Sequence, residues 1–139
     1  MIAFDTDVVV EILRGTPSFV KRADGIPAKE QSISVIVIEE ILRARLHAIR
    51  QAEAGHPRIT LPRAYELFER SRQALAHFAV LPFTSEAESL FREYRSRKIR
   101  VATHDLRIAA ISIAHRVKLI SRNRRDFDRV PGLDVEYWT

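Results

Sequence analysis

Cysteine is absent from this 139-residue chain, which removes disulfides, zinc–thiolate sites and iron–sulfur clusters from consideration. Glycine is scarce: four residues, widely scattered, leave no Gly-rich loop to cradle phosphates. The five histidines show no His-Glu-x-x-His spacing, so a zinc hydrolase is not indicated, and no nucleophile elbow supports Ser/His/Asp catalysis. No apolar run approaches the ~18 residues of a membrane span. The opening Met1-Ile2-Ala3-Phe4-Asp5 lacks the basic segment of a secretory leader. What remains, at 46% apolar and 29% charged residues, is an ordinary globular composition. The expectation is one compact domain over residues 1–139, cytoplasmic, with no membrane partner.

Charge is the first positive signal. The chain carries a net +5, and residues 90–130 hold twelve Lys/Arg against four Asp/Glu. A basic stretch of that density attracts a polyanion such as nucleic acid; equally, it can be a solvated face of mixed charge. Arginine far outnumbers lysine there, which favours phosphate forks.

Pattern and punctuation give the order strand, helices, strand, helices, strand, an α/β fold rather than a bundle. Ile2–Asp5 reads as a short strand. Thr6 is expected to cap a helix that Gly15 ends, and Pro17 to open a second. Gln31–Ile38, rich in Ile and Val, reads as a strand running into a helix from Glu39 to Gln51 before the turn Gly55-His56-Pro57. Pro62 opens a long helix towards Phe78, Val80-Leu81-Pro82 is a brief strand, and Thr84/Ser85 caps a helix to about Lys98. Thr103 is expected as the cap of His104–Val117, with one apolar face formed by Leu106, Ala109, Ala110, Ile113 and Val117. Lys118–Ser121 and Val135–Tyr137 complete the strands.

Four acids fall where an acid needs explaining. Asp5 ends the first strand, Glu40 lies within an apolar run where burial is costly unless it is paired, Asp105 stands near a helix start, and Asp126 follows the strand Lys118–Ser121. In an open α/β sheet the strand C-termini face one crevice. An acid at such a place ordinarily caps a helix; four at one rim would repel unless a cation held them. Oxygen ligands without His or Cys select Mg²⁺ or Mn²⁺.

Asp5-Thr6-Asp7, Ser34 to Ile41, Thr103-His104-Asp105-Leu106-Arg107-Ile108-Ala109-Ala110, Ser121 to Phe127 and the tail Val130 to Trp138 together resemble the successive motifs of PIN-domain ribonucleases. They are most like the VapC-type toxins of bacterial toxin–antitoxin pairs. The resemblance covers nearly the whole chain. It implies a single PIN-like domain with a central, mainly parallel sheet flanked by helices, and Asp5, Glu40, Asp105 and Asp126 as catalytic, metal-binding residues. It adds Ser121 and Asn123 as supporting positions and implies a cognate antitoxin and a homodimer. Asp7, also near the site, stands where the family often has Asn, and Val37 where Thr is common, removing a hydroxyl support for Glu40. Glu39 is expected to point to solvent.

The chemistry implied is hydrolysis of RNA phosphodiesters by metal-activated water, leaving a 3′-hydroxyl and a 5′-phosphate. Arg122, Arg124 and Arg125 flank Asp126 and are the candidate backbone contacts. Two alternatives stay open. Asp5-Thr6-Asp7-Val8-Val9 also fits the aspartyl-nucleophile motif of haloacid-dehalogenase-like phosphatases, without their later Lys and Asp motifs. A PIN-like module that only binds RNA or a partner is the other.

Overall fold

The computed structural model describes residues 1–56 and 58–139. Five short strands form one sheet: β1 (Ile2–Phe4), β2 (Gln31–Ser34), β3 (Ala79–Leu81), β4 (Lys118–Ser121) and β5 (Val135–Tyr137). Their order is β3-β2-β1-β4-β5, and every pairing is parallel. The chain builds outward from β1 to β2 and β3, then crosses to lay β4 and β5 on the other side. Strand order therefore reverses between β1 and β4, and a crevice opens there at the strand C-termini.

The connections are helical: α1 (Thr6–Arg14), α2 (Pro17–Asp24), α3 (Val35–Glu53), α4 (Leu61–Leu75), α5 (Ser85–Ser96), α6 (Thr103–Ala114) and the single turn α7 (Arg124–Phe127). Phe4, Ile33, Leu119 and Ile120 of the sheet are fully buried, together with Leu106, Ile108 and Ile111 of α6. Trp138, just past β5, packs edge-on to Phe4 at 5.7 Å. Among the described residues no helix is long and apolar enough to cross a membrane.

Local chemistry corrects several boundaries. Asp5, not Thr6, caps α1: its backbone is extended and its carboxylate accepts from the Thr6 N–H at 2.8 Å, which frees the Thr6 hydroxyl. Gly15 ends the helix as expected, in the left-handed conformation at φ 79°. The strand expected over Gln31–Ile38 stops at Ser34, whose Oγ accepts from the Val37 N–H. Val35 to Ile38 are helical instead, because burial of Ile36 and Val37 outweighs the small propensity cost of β-branched residues. Thr60 caps α4 and Pro62 takes its second position.

Ala102, without a side-chain bond, precedes α6, and Thr103 is its first residue; the Thr103 hydroxyl accepts from Arg95. Ile108, Ile111 and Ser112 are buried as well as Leu106, Ala109 and Ala110 of the expected face, with Ile113 half-buried, so α6 is a core helix enclosed nearly all round rather than an amphipathic one. Pro57, the end of the expected turn, lies outside the described residues.

Candidate active site

Parallel register sets the site. Phe4 pairs with Ile33 on one side and Ile120 on the other, so the next residues, Asp5, Ser34 and Ser121, stand together where the strands end. Asp5 donates its N–H to the Ile120 carbonyl at 2.9 Å and is 3% exposed. Its Oδ1 accepts from Thr6 N–H and its Oδ2 accepts from Ser121 Oγ at 2.7 Å. Burial is the main reason its carboxyl is pushed up to about 8; the charge of Asp7 adds to this, the bonds from Ser121 and Thr6 oppose it, and Asp105 adds a smaller push. Asp7 accepts from the Arg122 backbone N–H at 3.2 and 3.3 Å. Burial still raises its pKa against that bond.

Asp105 reaches the same place from the first turn of α6. Its carboxyl is pushed up to about 6, first by burial, then by the charges of Glu40, Asp126 and Asp7. Asn123, at the head of α7, binds two acids with one amide: its Nδ2 donates to Asp105 Oδ2 at 3.3 Å and to Asp126 Oδ2 at 3.0 Å. Its Oδ1 accepts from the Asp126 N–H, capping the turn. Ser121 Oγ in turn accepts from the Asn123 N–H at 2.9 Å. Ser121 and Asn123 thus tie three carboxylates into one network.

Glu40, on the second turn of α3, is held from an unforeseen direction. The hydroxyl that Val37 lacks is supplied by Thr6, whose Oγ1 donates to Glu40 Oε1 at 2.7 Å. The second Glu40 oxygen lies 3.8 Å from His104 Nδ1. Glu39 does not hang free in solvent: it meets Arg43 at 2.8 Å and His104 Nε2 at 3.4 Å. Thr6 was legible only as a helix cap and His104 only as one residue of a motif, because sequence spacing carries no signal for a pairing 34 residues apart.

The flanking arginines differ in what they do. Arg122 reaches back to Glu11 at 3.2 Å with its guanidinium 5.4 Å above Phe19. Arg124 lies over the Tyr137 ring at 4.3 Å. Arg125 is exposed.

The donor set fits a hard cation. It is all oxygen, and Asp105 and Asp126 are each gripped on one oxygen by Asn123, which leaves the other oxygen of each for an ion. The charges of Glu40, Asp126 and Asp7 all disfavour ionisation of Asp105, a strain that a divalent cation relieves. The grouping is nonetheless open: among the described residues no three His, Asp or Glu side chains converge closely enough to enclose an ion by themselves. A groove of about 340 Å³ runs from Thr6 and Glu40 over Val10, Leu13 and Ile41. A larger depression, about 710 Å³, lies by the strand starts Ile2 and Lys118 and includes none of Asp5, Glu40, Asp105 and Asp126.

The family model described as PIN domain matches residues 2–133. Ribonuclease VapC1 of Rickettsia felis is 36% identical over 62 residues, covering 42% of this chain and 46% of that protein. Ribonuclease VapC of Rickettsia bellii is 35% identical over 63 residues, with the same shares. The match thus spans about half the length of these curated relatives. Among solved structures, VapBC2 of Rickettsia felis bound to a promoter DNA fragment superposes with a TM-score of 0.78 at 21% identity, covering 100% of both chains. FitAcB of Neisseria gonorrhoeae superposes with a TM-score of 0.77 at 23% identity, covering 100% of this chain and 97% of its own. At those identities the likeness is one of fold.

Proposed function

This chain belongs to the PIN-domain family, and from that premise we propose that it is a metal-dependent endoribonuclease, the toxin of a toxin–antitoxin pair. The observation that carries the reading is the network by which Ser121 and Asn123 tie Asp5, Asp105 and Asp126 together at the reversal point of the sheet, with Glu40 near enough for its charge to raise the pKa of Asp105. Structural acids lower their pKa by pairing with cations; Asp5 and Asp105 are instead raised, first by burial and further by neighbouring carboxylates, as at functional sites. Named relatives that are ribonucleases, at about 35% identity over part of the chain, support the activity.

In this reading Asp5, Glu40, Asp105 and Asp126 hold Mg²⁺ or Mn²⁺, which when bound makes water a nucleophile at neutral pH and offsets charge on the phosphate. The chain's own work is placement. Asn123 fixes Asp105 and Asp126 relative to each other, Ser121 fixes Asp5, and Thr6 orients Glu40. Asp7, pinned by the Arg122 backbone, supports the site with a charge that raises the pKa of Asp5 and Asp105. Arg122, Arg124 and Arg125 contact RNA phosphates, Arg122 by exchanging Glu11 for the substrate. The aspartyl-nucleophile alternative is disfavoured by the PIN-domain family match over residues 2–133. The silent-binding alternative is disfavoured by the presence of all four acids.

An antitoxin partner is supported by the structural neighbours, which are toxin–antitoxin complexes. Its segment would lie in the groove over Val10, Leu13 and Ile41, which opens at Glu40. A homodimer would use exposed apolar residues of α3 and α4 such as Leu46, Leu61 and Tyr65. The deciding experiment incubates the purified chain with structured RNA in Mn²⁺ and in EDTA and maps the new ends. Cleavage with 5′-phosphate ends, stopped by EDTA and by Asp105→Asn, is expected; intact RNA in Mn²⁺ overturns the reading.

A further inference from the structure

Beside α7 a cleft of about 520 Å³ is lined by Lys98, Ile99, Arg100, Arg125 and Arg129. Four of these five residues are cations and none is an acid. Among the described residues none of the four takes part in an ion pair, whereas Arg43, Arg63, Arg70, Arg72 and Arg122 all do. Like charges gathered without counterions oppose folding, so their grouping calls for an anion.

The cleft is built rather than improvised from loose side chains. Arg129 Nη1 donates to the Arg100 carbonyl at 2.9 Å, joining the two rims. The buried Tyr94 donates from its hydroxyl to the Pro131 carbonyl at 2.7 Å, which fastens α5 to the segment after α7. The α5 rim itself ends in a tight double bond pattern, Lys98 N–H to Arg95 O and Ile99 N–H to Tyr94 O. That motif places Lys98 in the left-handed conformation at φ 58°. Glycine is the usual residue there because a Cβ is strained. Arg116 ends α6 in the same conformation at φ 56°, so attraction of a cation to a helix C-terminus is part of the account. Lys98 differs in lining the cleft.

We propose that this cleft holds backbone phosphates of the RNA on one flank of the scissile bond, with Lys98, Arg100, Arg125 and Arg129 as strand-positioning residues. The proposal rests on the nuclease reading and adds a second anchor to it. Arg125 directly precedes Asp126, so their Cα atoms are about 3.8 Å apart, and the cleft borders the turn α7 that carries one of the carboxylates. Guanidinium forks match phosphate oxygens. Among the described residues Ile99 is the only apolar one lining the cleft and no aromatic one lines it, so the contact reads backbone and not sequence.

The test measures binding of a labelled single-stranded RNA to the full chain in EDTA, so that no cleavage intervenes, across a series of salt concentrations. The variants are the triple Arg100→Gln, Arg125→Gln, Arg129→Gln and the single Lys98→Gly, each also melted. Wild type should show a salt-dependent affinity whose log–log slope falls by about 0.7 for each phosphate contact removed, so by about 2 in the triple variant. Lys98→Gly should lose part of the slope while melting no lower than wild type, and it decides the matter alone if the triple variant does not fold. Wild-type binding with an unchanged slope in the folded variants overturns the cleft but leaves the nuclease reading standing. No RNA binding by wild type overturns both. Displacement of the RNA by polyglutamate of equal charge at equal concentration assigns the cleft to an acidic protein partner and overturns the proposal.

Discussion

Asp5 can be ionised at neutral pH only at the folded state's expense. Its folded carboxyl keeps its proton up to about pH 8, while the unfolded chain releases it near 3.9. Between those values the folded state binds more protons, so stability that is complete below about pH 4 is lost as pH rises towards 8. Asp105, raised to about 6, adds the same sign of loss between about pH 4 and 6. In EDTA the chain should therefore be more stable at pH 5 than at pH 8. Asp105→Asn should recover about 1–2 kcal/mol at neutral pH, allowing for solvent screening of a half-buried group; urea melts at several pH values check both statements. A mutant less stable than wild type at pH 8 would make Asp105 a structural helix-start residue.

Thr6 offers a cleaner residue-scale test. Thr6→Val keeps the shape and removes the 2.7 Å bond to Glu40, a loss of about 1 kcal/mol of stability. Cleavage should fall well beyond what that small loss explains, and Thr6→Ser should restore it; kcat and melts of both variants give the comparison.

At the scale of elements, α7 is a single turn, Arg124–Phe127, too short to persist on its own. It is kept by the Asn123 cap and by Phe127, which is fully buried. Asn123→Ala should cost about 1 kcal/mol through the lost cap and, by freeing Asp105 and Asp126 together, depress cleavage more than it depresses the melt. The end of α1 is a separate case. Gly15 sits at φ 79° with no neighbour within 4 Å of where a Cβ would stand, so Gly15→Ala should cost about 1–2 kcal/mol from backbone strain alone and leave cleavage intact. A chemical denaturation series distinguishes the two elements.

For the molecule as a whole, metal binding to the native state alone raises the melting temperature by mass action. Wild type in millimolar Mn²⁺ should melt several degrees above wild type in EDTA. Asp105→Asn should start higher in EDTA and gain less from the metal, so the two melting curves draw together. A wild type indifferent to Mn²⁺ removes the physical basis of the metal site. Fold and function trade stability here: the acids that gather at the reversal of strand order are the ones that burden the metal-free fold.

The sequence by itself determined the α/β class, the Gly15 and Thr84 helix punctuation, the strands at β1, β4 and β5, and the candidate acids, because these depend on local periodicity and on residues whose chemistry is out of place. Resemblance to PIN-domain ribonucleases was legible in the order of the same motifs, and the family model bears it out. The end of β2 at Ser34 was not legible, since Val35 to Ile38 favour a strand locally and turn helical only for tertiary burial. Nor was the enclosure of α6, which packs on its neighbours α5 and β4 and also on α3 and β2 from far earlier in the chain. Tertiary structure alone decided which hydroxyl holds Glu40, that Glu39 meets His104, and that Arg122 is spent on Glu11 while Arg125 joins Lys98, Arg100 and Arg129. Each brings together residues distant in the chain, as Thr6 with Glu40, Glu39 with His104, Glu11 with Arg122 and Lys98 with Arg125, set by strand register and helix packing, and no spacing along the sequence encodes it.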